Sequence, residues 1–520
     1  MAACRLSVIF VRSVFGCALA IIWLGVIRVA GACNLTREGR KSSGAYYTPA
    51  EVAATLLRWA VRNSDDRLLD PACGDGEFIQ GHRKSVGIEQ NPSAASEAIS
   101  RAPWALVHEG DFFTWAENTN ERFECAAGNP PFIRYQTFKG AVRQRAIALC
   151  DAIGAPFSGL ASSWAPFLAV TASLLKRGGR LAFVVPAEIG HAPYAAPLLE
   201  YLLSNFAILQ VVAVRSKLFP DLNEDCWLLY ADGFGGRTSE IRLSVVETFK
   251  PSARPPRNFI RVSASSWRQD WKRRLRAYLL PSEARSIYQE VANDLFTRRL
   301  GDIARVGIGY VTGANDFFHL KPSIAARLRI PSGLLHPTVR NARALPIGQL
   351  TKSTVAEWYR DDDPVLLLRL PKSADIPAPV RRYLDTVEGR EARTAFKCRS
   401  RTPWYSVPDV QVPDFFLSYM SGLTPSLVRN AADCTCTNSV HSVRMKDRRA
   451  ASALRAVWPT SFVQLSCEIE GHPLGGGMLK LEPREATEVL LPAPELTATL
   501  YAPVIEAGLN TMRQWRHYAS

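Results

Sequence analysis

Closely paired cysteines are missing from this chain. Its 520 residues include eleven cysteines, but they are scattered and no two of them form a CxxC pair. This distribution excludes a zinc ribbon and gives no sign of a disulfide framework. The nearest approach to a metal-binding set has spacings that match no standard zinc site: Cys434, Cys436, His441, Cys467 and His472. We therefore expect no metal site and buried, reduced thiols.

Long apolar runs are also scarce. The apolar stretch near the start, Ser13 to Ile27, is fifteen residues long, whereas a transmembrane helix needs about 20. With Arg5 before it and the small residues of 30–33 after it, the stretch is typical of a signal peptide. Residues 1–43 are therefore a leader of doubtful status, and its role depends on what the rest of the chain does.

Acidic residues are in short supply relative to basic ones. The chain has 63 lysines and arginines against 48 aspartates and glutamates, which gives a formal net charge of +15. Such an excess favours a polyanionic partner, either nucleic acid or an anionic membrane. A hydrophobic content of 47% argues against disorder. The length favours about two to four domains.

The region 44–235 alternates short apolar runs with segments of helical spacing. This pattern predicts βα units and a mostly parallel sheet. The predicted elements are helices over 51–61 and 162–176, strands over 67–70, 85–89, 104–107, 124–128 and 181–185, and an edge hairpin of 208–214 with 226–231. Between 233 and 261 the composition changes to Gly, Pro, Ser and Arg, which indicates a domain boundary. A second domain of mixed strands and helices is expected over 260–515.

Three acidic residues follow three successive predicted strands. Asp70 opens a glycine-rich turn in which Gly74 and Gly76 allow the backbone to bend sharply and approach a ligand closely. Glu89 lies nineteen positions after Asp70, near where a ribose-binding carboxylate belongs in nucleotide-binding βαβ units. Asp111 is placed to accept a hydrogen bond from an adenine amino group. Each of these acids taken alone is typical of a solvated loop carboxylate. Three acids at three successive strand ends predict a nucleotide site.

The tetrapeptide Asn129-Pro130-Pro131-Phe132 follows the fourth predicted strand. An amine on an aromatic ring is a poor nucleophile because its lone pair is delocalised into the ring. If the Asn129 side-chain oxygen and the Pro130 carbonyl each accept one N–H, the lone pair is freed for attack on a methyl group, while Phe132 stacks on the ring. An ordinary Asn-Pro turn is the alternative for these residues taken alone. The motifs that precede them favour the catalytic interpretation.

Taken in order, these motifs resemble the adenine-N6 DNA methyltransferases of the TaqI type. The resemblance covers 44–232 and implies a Rossmann-like domain that binds S-adenosyl-L-methionine. The residues that match the family's cofactor motifs are Tyr47, Thr48, Asp70, Ala72, Gly74, Gly76, Glu89, Asp111 and Phe112. The residues that match its catalytic motif are Asn129, Pro130, Pro131 and Phe132, with Phe219 as a second aromatic that holds the flipped base. The tetrapeptide ends in Phe where Tyr is commoner, and the leader is no part of the family pattern.

The same resemblance implies that the C-terminal domain recognises double-stranded DNA. Two basic stretches with interleaved aromatic residues suit phosphate contacts: the first covers 254–278 and the second 393–405. The residues expected to contact DNA are Arg257, Arg261, Arg268, Lys272, Arg273, Arg399 and Arg401. A solvated basic helix face is the alternative for the first stretch. Segments 309–318 and 475–480 are similar to parts of recognition domains in this group, with structural turns as the alternative.

We therefore expect an α/β protein, with a Rossmann-like methyltransferase domain followed by a mixed α+β DNA-recognition domain. The expected reaction transfers a methyl group from S-adenosyl-L-methionine to adenine N6 in duplex DNA by base flipping. The protein is then the modification part of a restriction-modification system or an orphan methylase, with any restriction endonuclease on a separate chain. Because cofactor and DNA are cytosolic, we expect a cytoplasmic location, no membrane partner and no catalytic role for the leader.

Other enzymes share the tetrapeptide because they face the same chemical problem. Cytosine N4 in DNA, an rRNA base and a protein glutamine stay open as acceptors, and so does a catalytically inactive DNA-binding relative. The RNA and glutamine enzymes are disfavoured by Pro71-Ala72, by Thr48-Pro49 and by a basic C-terminal half larger than they need.

Overall fold

The first half of the chain is built around one large sheet. The computed structural model describes residues 48–158, 161–220, 222, 224–372, 375–493 and 501–518. The strands of this sheet are β1 (Leu68–Asp70), β2 (Ser85–Glu89), β3 (Leu106–Glu109), β4 (Phe123–Gly128), β5 (Leu175–Pro186), β6 (Phe206–Val214), β7 (Cys226–Phe234), β8 (Glu240–Val246) and β9 (Ile260–Ser263). They lie in the order β3-β2-β1-β4-β5-β7-β6-β8-β9.

The first five strands pair in parallel, and β7 inserts antiparallel between β5 and β6. From β1 the chain builds outward to β3 and then returns to add β4 and β5 on the other side. The strand order therefore reverses between β1 and β4. In open α/β sheets a ligand binds in the crevice beyond the carboxyl ends of the strands at such a reversal.

Helices cover both faces of this sheet. They are α1 (Ala50–Ala60), α2 (Pro92–Arg101), α3 (Phe112–Asn118), α4 (Gly140–Ala152), α5 (Trp164–Ser173) and α6 (Ala196–Asn205). α1 buries Val52 and Leu56 against strand residues such as Val184. On the opposite face, α5 is apolar on almost every side and is buried over most of its length, as expected of a helix without a polar face.

The remaining strands form four smaller sheets. Their bounds are β10 (Arg298–Arg299), β11 (Ala304–Ile308), β12 (His319–Leu320), β13 (Leu335–Val339), β14 (Gln349–Leu350), β15 (Leu366–Leu368), β16 (Phe415–Ser418), β17 (Met420–Ser421), β18 (Leu427–Asn430), β19 (Thr435–Cys436), β20 (Val440–Met445), β21 (His472–Leu474), β22 (Met478–Lys480) and β23 (Leu490–Leu491). The sheet orders are β10-β23, β11-β20-β16-β18-β14, β12-β15-β13-β19 and β17-β22-β21.

Short helices connect these sheets, giving the mixed α+β architecture expected of the C-terminal half. They are α7 (Ala264–Gln269), α8 (Ser282–Ala292), α9 (Leu300–Ile303), α10 (Asn315–Phe318), α11 (Pro322–Arg327), α12 (Lys352–Arg360), α13 (Ala378–Leu384), α14 (Val387–Thr394), α15 (Phe396–Arg399), α16 (Ala451–Val457), α17 (Ser461–Glu470), α18 (Pro483–Glu488) and α19 (Ala502–Trp515). Helices α8, α17 and α19 share the main apolar core with α5 and α6. Within it the rings of Tyr288 and Phe462 stack with their centroids 5.2 Å apart.

The α/β fold predicted from the sequence is confirmed, with two local corrections. The hairpin of β6 and β7 is not at an edge, because β8 and β9 extend the sheet beyond β6. Strand β8 lies within 233–261, the Gly-, Pro-, Ser- and Arg-rich stretch in which the sequence predicts a domain boundary. Helix α5 also ends at Ser173, and β5 begins at Leu175, six residues earlier than expected. The domain limits of 44–235 and 260–515 stay a prediction.

The remaining expectations concern the leader, membrane-spanning helices, the cysteines and a metal site. The leader and Tyr47 lie outside the described residues. In the part that is described, no helix is long and apolar enough to cross a membrane. The eight cysteines of the described ranges are buried free thiols, and in those ranges no three His, Cys, Asp or Glu side chains are grouped to hold a metal ion.

Candidate active site

Asp70 ends β1 at the crevice, with only 1% of its surface exposed. Its Oδ1 atom accepts a hydrogen bond from the Ala72 amide at 3.2 Å, and within the described residues Oδ2 has no hydrogen-bond partner. Burial raises the pKa of Asp70 to about 8, and the neighbouring Glu89 and Asp75 carboxylates add to this effect. A buried carboxyl with a spare acceptor atom suits a cationic or hydrogen-bond-donating ligand.

The loop after Asp70 turns through two glycines with positive φ, Gly74 at +56° and Gly76 at +93°. Side chains with a Cβ rarely adopt this conformation, which explains the residue type at both positions. A Cβ added at Gly76 would lie 3.0 Å from the Ala98 Cα atom, so the loop packs directly on α2. At Gly74 nothing lies within 4 Å of such an atom, so the backbone there borders open space.

Glu89 ends β2 and ties the glycine loop to it. One carboxylate oxygen accepts the Gly74 amide at 2.9 Å, and the other accepts the Asn91 amide at 2.7 Å. These bonds fix the carboxylate and still leave a lone pair on each oxygen. The arrangement is therefore suited to a pair of hydroxyl donors such as those of a ribose.

Asp111 and Phe112 follow β3 and occupy different environments. Asp111 caps α3, where its Oδ1 atom accepts the Thr114 amide and hydroxyl, both at 2.8 Å. The Phe112 ring is 2% exposed and stacks on the ring of Phe167 at 5.0 Å. Asp111 thus lies at the rim of the crevice, whereas Phe112 belongs to the core wall behind it. Their predicted contacts with a cofactor adenine stay a prediction.

The tetrapeptide leaves β4 immediately beside Asp70. A Cβ added at Gly128 would lie 2.6 Å from the Oδ1 atom of Asp70, which shows how closely the residue before Asn129 approaches that carboxyl. Residues 129–134 form no turn, so an ordinary Asn-Pro turn does not describe them. Pro130 is buried, while Asn129, Pro131 and Phe132 are half-buried at the crevice.

Ser163, which sequence reasoning did not select, holds the segment after Asn129 and Pro130. It is fully buried at the start of α5. Its hydroxyl donates to the Pro131 carbonyl and accepts the Ile133 amide at 3.0 Å, and its own amide donates to the Ile133 carbonyl at 2.9 Å. These hydrogen bonds fix the backbone on both sides of Phe132. The only sequence signal was a serine ahead of an apolar helix.

The two predicted base-stacking aromatics lie at one apolar cluster. Phe219 is buried in the cluster beneath α1, and Phe132 packs against the same cluster. An ion pair of 2.9 Å between Arg134 and Glu224 links the segment after the tetrapeptide to the segment before β7. Thr48 is buried directly before α1. Contact of Phe132 and Phe219 with a flipped base stays a prediction.

The residues at the crevice fit S-adenosyl-L-methionine. The carboxyl of Asp70, with its spare Oδ2 atom, suits a cationic group. The carboxylate of Glu89 suits the ribose hydroxyls, and the exposed backbone at Gly74 permits close approach. The carboxylate of Asp111 at the rim is of the type that accepts a hydrogen bond from an adenine amine, as predicted for it.

Most of the first basic stretch is engaged in ion pairs with acids of the same protein. These pairs are Arg261 with Glu240 (3.1 Å), Arg268 with Glu200 (2.7 Å), Arg273 with Glu200 (3.4 Å), and Lys272 with Glu470 (3.0 Å) and Glu488 (2.6 Å). The acids come from both halves of the chain, so the stretch acts as a join between them. Arg257 is exposed. DNA contact by this stretch stays a prediction. The cations that already pair with acids are weaker candidates for this contact than the exposed Arg257.

Deeper in the same join, Glu468 lies between two buried arginines. Arg516 donates to both Glu468 carboxylate oxygens, at 2.9 and 3.1 Å, and Arg276 lies 3.5 Å from one of them. Burial lowers the pKa of Arg276 to about 10. The sequence did not distinguish these two arginines from surface cations, because composition does not reveal burial.

The second basic stretch divides into two kinds of arginine. Arg401 donates to the backbone carbonyls of Val311 and Thr312, at 2.6 and 2.7 Å, and so holds the 309–313 segment in place. Arg399 is exposed and lies over the ring of Phe396. Arg399 is therefore available to an external anion, whereas Arg401 is already occupied by the protein.

The strand order, the glycine loop between two carboxylates and the tetrapeptide beside them define a Rossmann-like methyltransferase. Comparison with sequence families points to the same class of protein. Residues 68–219 match the family described as Eco57I restriction-modification methylase, residues 272–515 match Type II methyltransferase M.Eco57I, C-terminal domain, and residues 33–96 match N-6 DNA Methylase. These matches, one in each half of the chain and one at the start of the glycine-loop region, confirm the predicted resemblance to the N6-adenine methylases of restriction-modification systems.

Relatives that extend along most of the chain are similar at low identity. Type II methyltransferase M.AccI of Acinetobacter calcoaceticus is 20% identical over 491 residues, covering 88% of this chain and 87% of the relative. Type II methyltransferase M.XamI of Xanthomonas campestris pv. amaranthicola is 24% identical over 480 residues, covering 87% and 86%. A local match to Type II methyltransferase M.TthHB8I of Thermus thermophilus is 30% identical over 166 residues, covering 29% of this chain and 36% of that protein.

Proposed function

We propose that this protein transfers the methyl group of S-adenosyl-L-methionine to N6 of adenine in double-stranded DNA. The observation that carries the proposal is the close approach of the tetrapeptide to Asp70 at the strand-order reversal. On this proposal, the tetrapeptide binds the amine beside a carboxyl suited to the cofactor. Similarity to the family described as N-6 DNA Methylase supports DNA as the substrate, and the long relatives are named Type II methyltransferases.

The cofactor, when bound, supplies an electrophilic methyl group on its sulfonium. Asp70 holds a cationic part of it, Glu89 the ribose, and Asp111 the adenine. Because the glycine loop is tied to Glu89 and packed on α2, these acceptors are positioned before the ligand arrives. Preorganised groups orient the reactants without paying for rearrangement during the reaction.

The acceptor amine is activated by the tetrapeptide. The Asn129 side-chain oxygen and the Pro130 carbonyl each accept one N–H of the amine, so its lone pair turns toward the methyl group. Phe132 stacks on the flipped base, with Phe219 behind it. No strong general base is needed, because the nitrogen becomes acidic only after it has attacked. Ser163 keeps the Pro131 and Ile133 backbone groups in place while this happens.

The base must leave the double helix before it can reach this crevice. Flipping costs a few kcal/mol, which contacts to the DNA backbone must offset. The exposed cations that pair with no acid in the described ranges, including Arg257 and Arg399, are the contacts we assign to this role. The protein is then either the modification part of a restriction-modification system, with any restriction endonuclease on a separate chain, or an orphan methylase.

Long-read sequencing that detects modified bases tests this proposal in cells. DNA from a methylation-deficient host expressing the protein should carry N6-methyladenine at one recurring sequence. The matched host expressing Asn129→Ala should carry none. N4-methylcytosine at the recurring sequence would reassign the substrate to cytosine, and unmodified DNA from the wild-type strain would contradict methyl transfer to DNA.

A further inference from the structure

The corner between α14 and α15 carries a phenylalanine on the protein surface. Phe396 is 67% exposed. Four cations and no acid lie within 393–401: Arg393, Lys397, Arg399 and Arg401. The Lys397 ammonium lies 5.8 Å and the Arg399 guanidinium 5.5 Å from the centroid of the Phe396 ring. We refer to residues 393–401 as the Phe396 corner.

The Phe396 corner is fixed to the body of the C-terminal half. Cys398 is fully buried, and Arg401 donates to the carbonyls of Val311 and Thr312. A Cβ added at Gly313 would lie 2.7 Å from the Cβ of Lys397, so the corner and the 311–313 loop are in close contact. The ring is therefore presented from a stable base and does not fold back into a nearby core.

The cations of the corner differ from those of the first basic stretch in having no acidic partner. In the described ranges, Arg393, Lys397 and Arg399 take part in no ion pair. The nearest acids in sequence, Glu388 and Glu391, lie on α14 and pair with none of them. Uncompensated charge next to an exposed aromatic ring is thus concentrated here, whereas the cations of 261–276 are largely neutralised inside the protein.

We propose that the Phe396 corner is a DNA-contacting wedge, in which Phe396 contacts unstacked bases while Arg393, Lys397 and Arg399 bind the flanking phosphates. The proposal rests on the proposed function, because it takes duplex DNA as the partner. Every base offers a ring face to an aromatic side chain, and phosphates on either side attract cations. Apolar side chains that enter between base pairs use the same combination of wedge and basic flanks.

An anionic membrane would attract the same cations, but it is the weaker partner. Stable binding at a lipid surface requires a broad apolar face, whereas the corner offers one phenylalanine. DNA needs only a single ring at one base step. We therefore assign the corner to DNA and keep vesicle binding as an outcome of the test.

Equilibrium binding of the full-length protein to a fluorescently labelled duplex tests the wedge. Phe396→Ala should weaken binding by about 10-fold or more, and Phe396→Trp should restore it. The double change Lys397→Ala and Arg399→Ala should reduce the slope of log affinity against log salt by about two. Phe296→Ala is the matched control, because Phe296 is 73% exposed on the turn after α8, and it should bind DNA like the wild type.

Three results would overturn the wedge. They are equal DNA affinity of Phe396→Ala and the wild type, an equal loss in Phe296→Ala, and loss of binding to phosphatidylserine vesicles in Phe396→Ala while DNA binding is unchanged. The wedge and the proposed function fail separately. Wild-type protein that binds DNA through Phe396 but methylates no DNA contradicts only the enzymatic proposal, whereas active methylation with unchanged affinity in Phe396→Ala contradicts only the wedge.

Discussion

Asp70 couples the candidate cofactor site to pH. An unfolded chain ionises an aspartate near pH 4, whereas burial raises the pKa of Asp70 in the folded protein to about 8. The folded state therefore holds a proton that the unfolded state has lost between these values. The contribution of this proton to stability is complete below about pH 4 and declines as the pH rises toward 8.

The folded protein favours the protonated form of Asp70, and binding of a cation next to this carboxyl favours the ionised form instead. The ionised carboxylate is then favoured, so cofactor binding below pH 8 should release a proton. Calorimetric titration at about pH 6.5 in two buffers of different ionisation enthalpy measures the release. We expect about one proton more for the wild type than for Asp70→Asn. The same release from both proteins would contradict a contact between Asp70 and the cationic part of the cofactor.

At the scale of single residues, the sequence identified the site residues that lie directly after predicted strands. Asp70, Glu89 and Asp111 each follow a strand, and the tetrapeptide follows the next one, so the topology alone brings them to one crevice. Ser163 and Arg401 could not be found in this way. Their partners lie 32 and 89 positions away in the chain, and neither residue type signals a long-range hydrogen bond.

Helix α5 acts on the site through its first residue. We expect Ser163→Ala to reduce the rate of methyl transfer by about 10- to 100-fold, because the loss of hydrogen bonds to the Pro131 and Ile133 backbone lets the tetrapeptide shift. The cofactor dissociation constant should stay close to that of the wild type, since the Ser163 hydroxyl bonds to the Pro131 and Ile133 backbone and, in the described ranges, to no predicted cofactor residue. Single-turnover kinetics and equilibrium cofactor binding separate the two effects.

Ser173 provides the matched control at the opposite end of α5. Its hydroxyl donates to the Val170 carbonyl at 2.7 Å, within the helix itself. Ser173→Ala should therefore leave the transfer rate unchanged. A transfer rate for Ser163→Ala equal to that of Ser173→Ala would show that the Ser163 hydrogen bonds do not position the tetrapeptide.

At the scale of elements, the strands that carry the site were predictable and the sheet's far edge was not. Apolar runs that end in acid-rich or glycine-rich turns give a strong signal, and β2 was placed at its observed bounds. The strands β8 and β9 lie among Gly, Pro and Arg residues that resemble a linker. Their apolar residues are few and alternate, so their pairing depends on contact with β6, which composition does not reveal.

At the scale of the whole molecule, the two halves share an apolar core, and buried charge stabilises the C-terminal half from within. Glu468 neutralises Arg276 and Arg516, all three being buried. Glu468→Gln leaves two buried cations without an anion and should destabilise the protein by about 3–5 kcal/mol. The shift of the thermal unfolding midpoint, together with chemical denaturation, measures the loss.

Glu247→Gln is the control for this change, because Glu247 pairs with Arg215 at an exposed position. Exposed ion pairs contribute little, so this variant should unfold almost like the wild type. Equal stability of Glu468→Gln and Glu247→Gln would show that the buried charges do not stabilise the C-terminal half.

The central claim is that the tetrapeptide at the end of β4 methylates adenine N6 in DNA. Nucleoside mass spectrometry after incubation of the purified protein with unmethylated duplex DNA and isotopically labelled S-adenosyl-L-methionine tests it most directly. We predict labelled N6-methyldeoxyadenosine from the wild type, and none from Asn129→Ala, although that variant still binds the cofactor. Label in another nucleoside, or equal label from both proteins, would contradict the account.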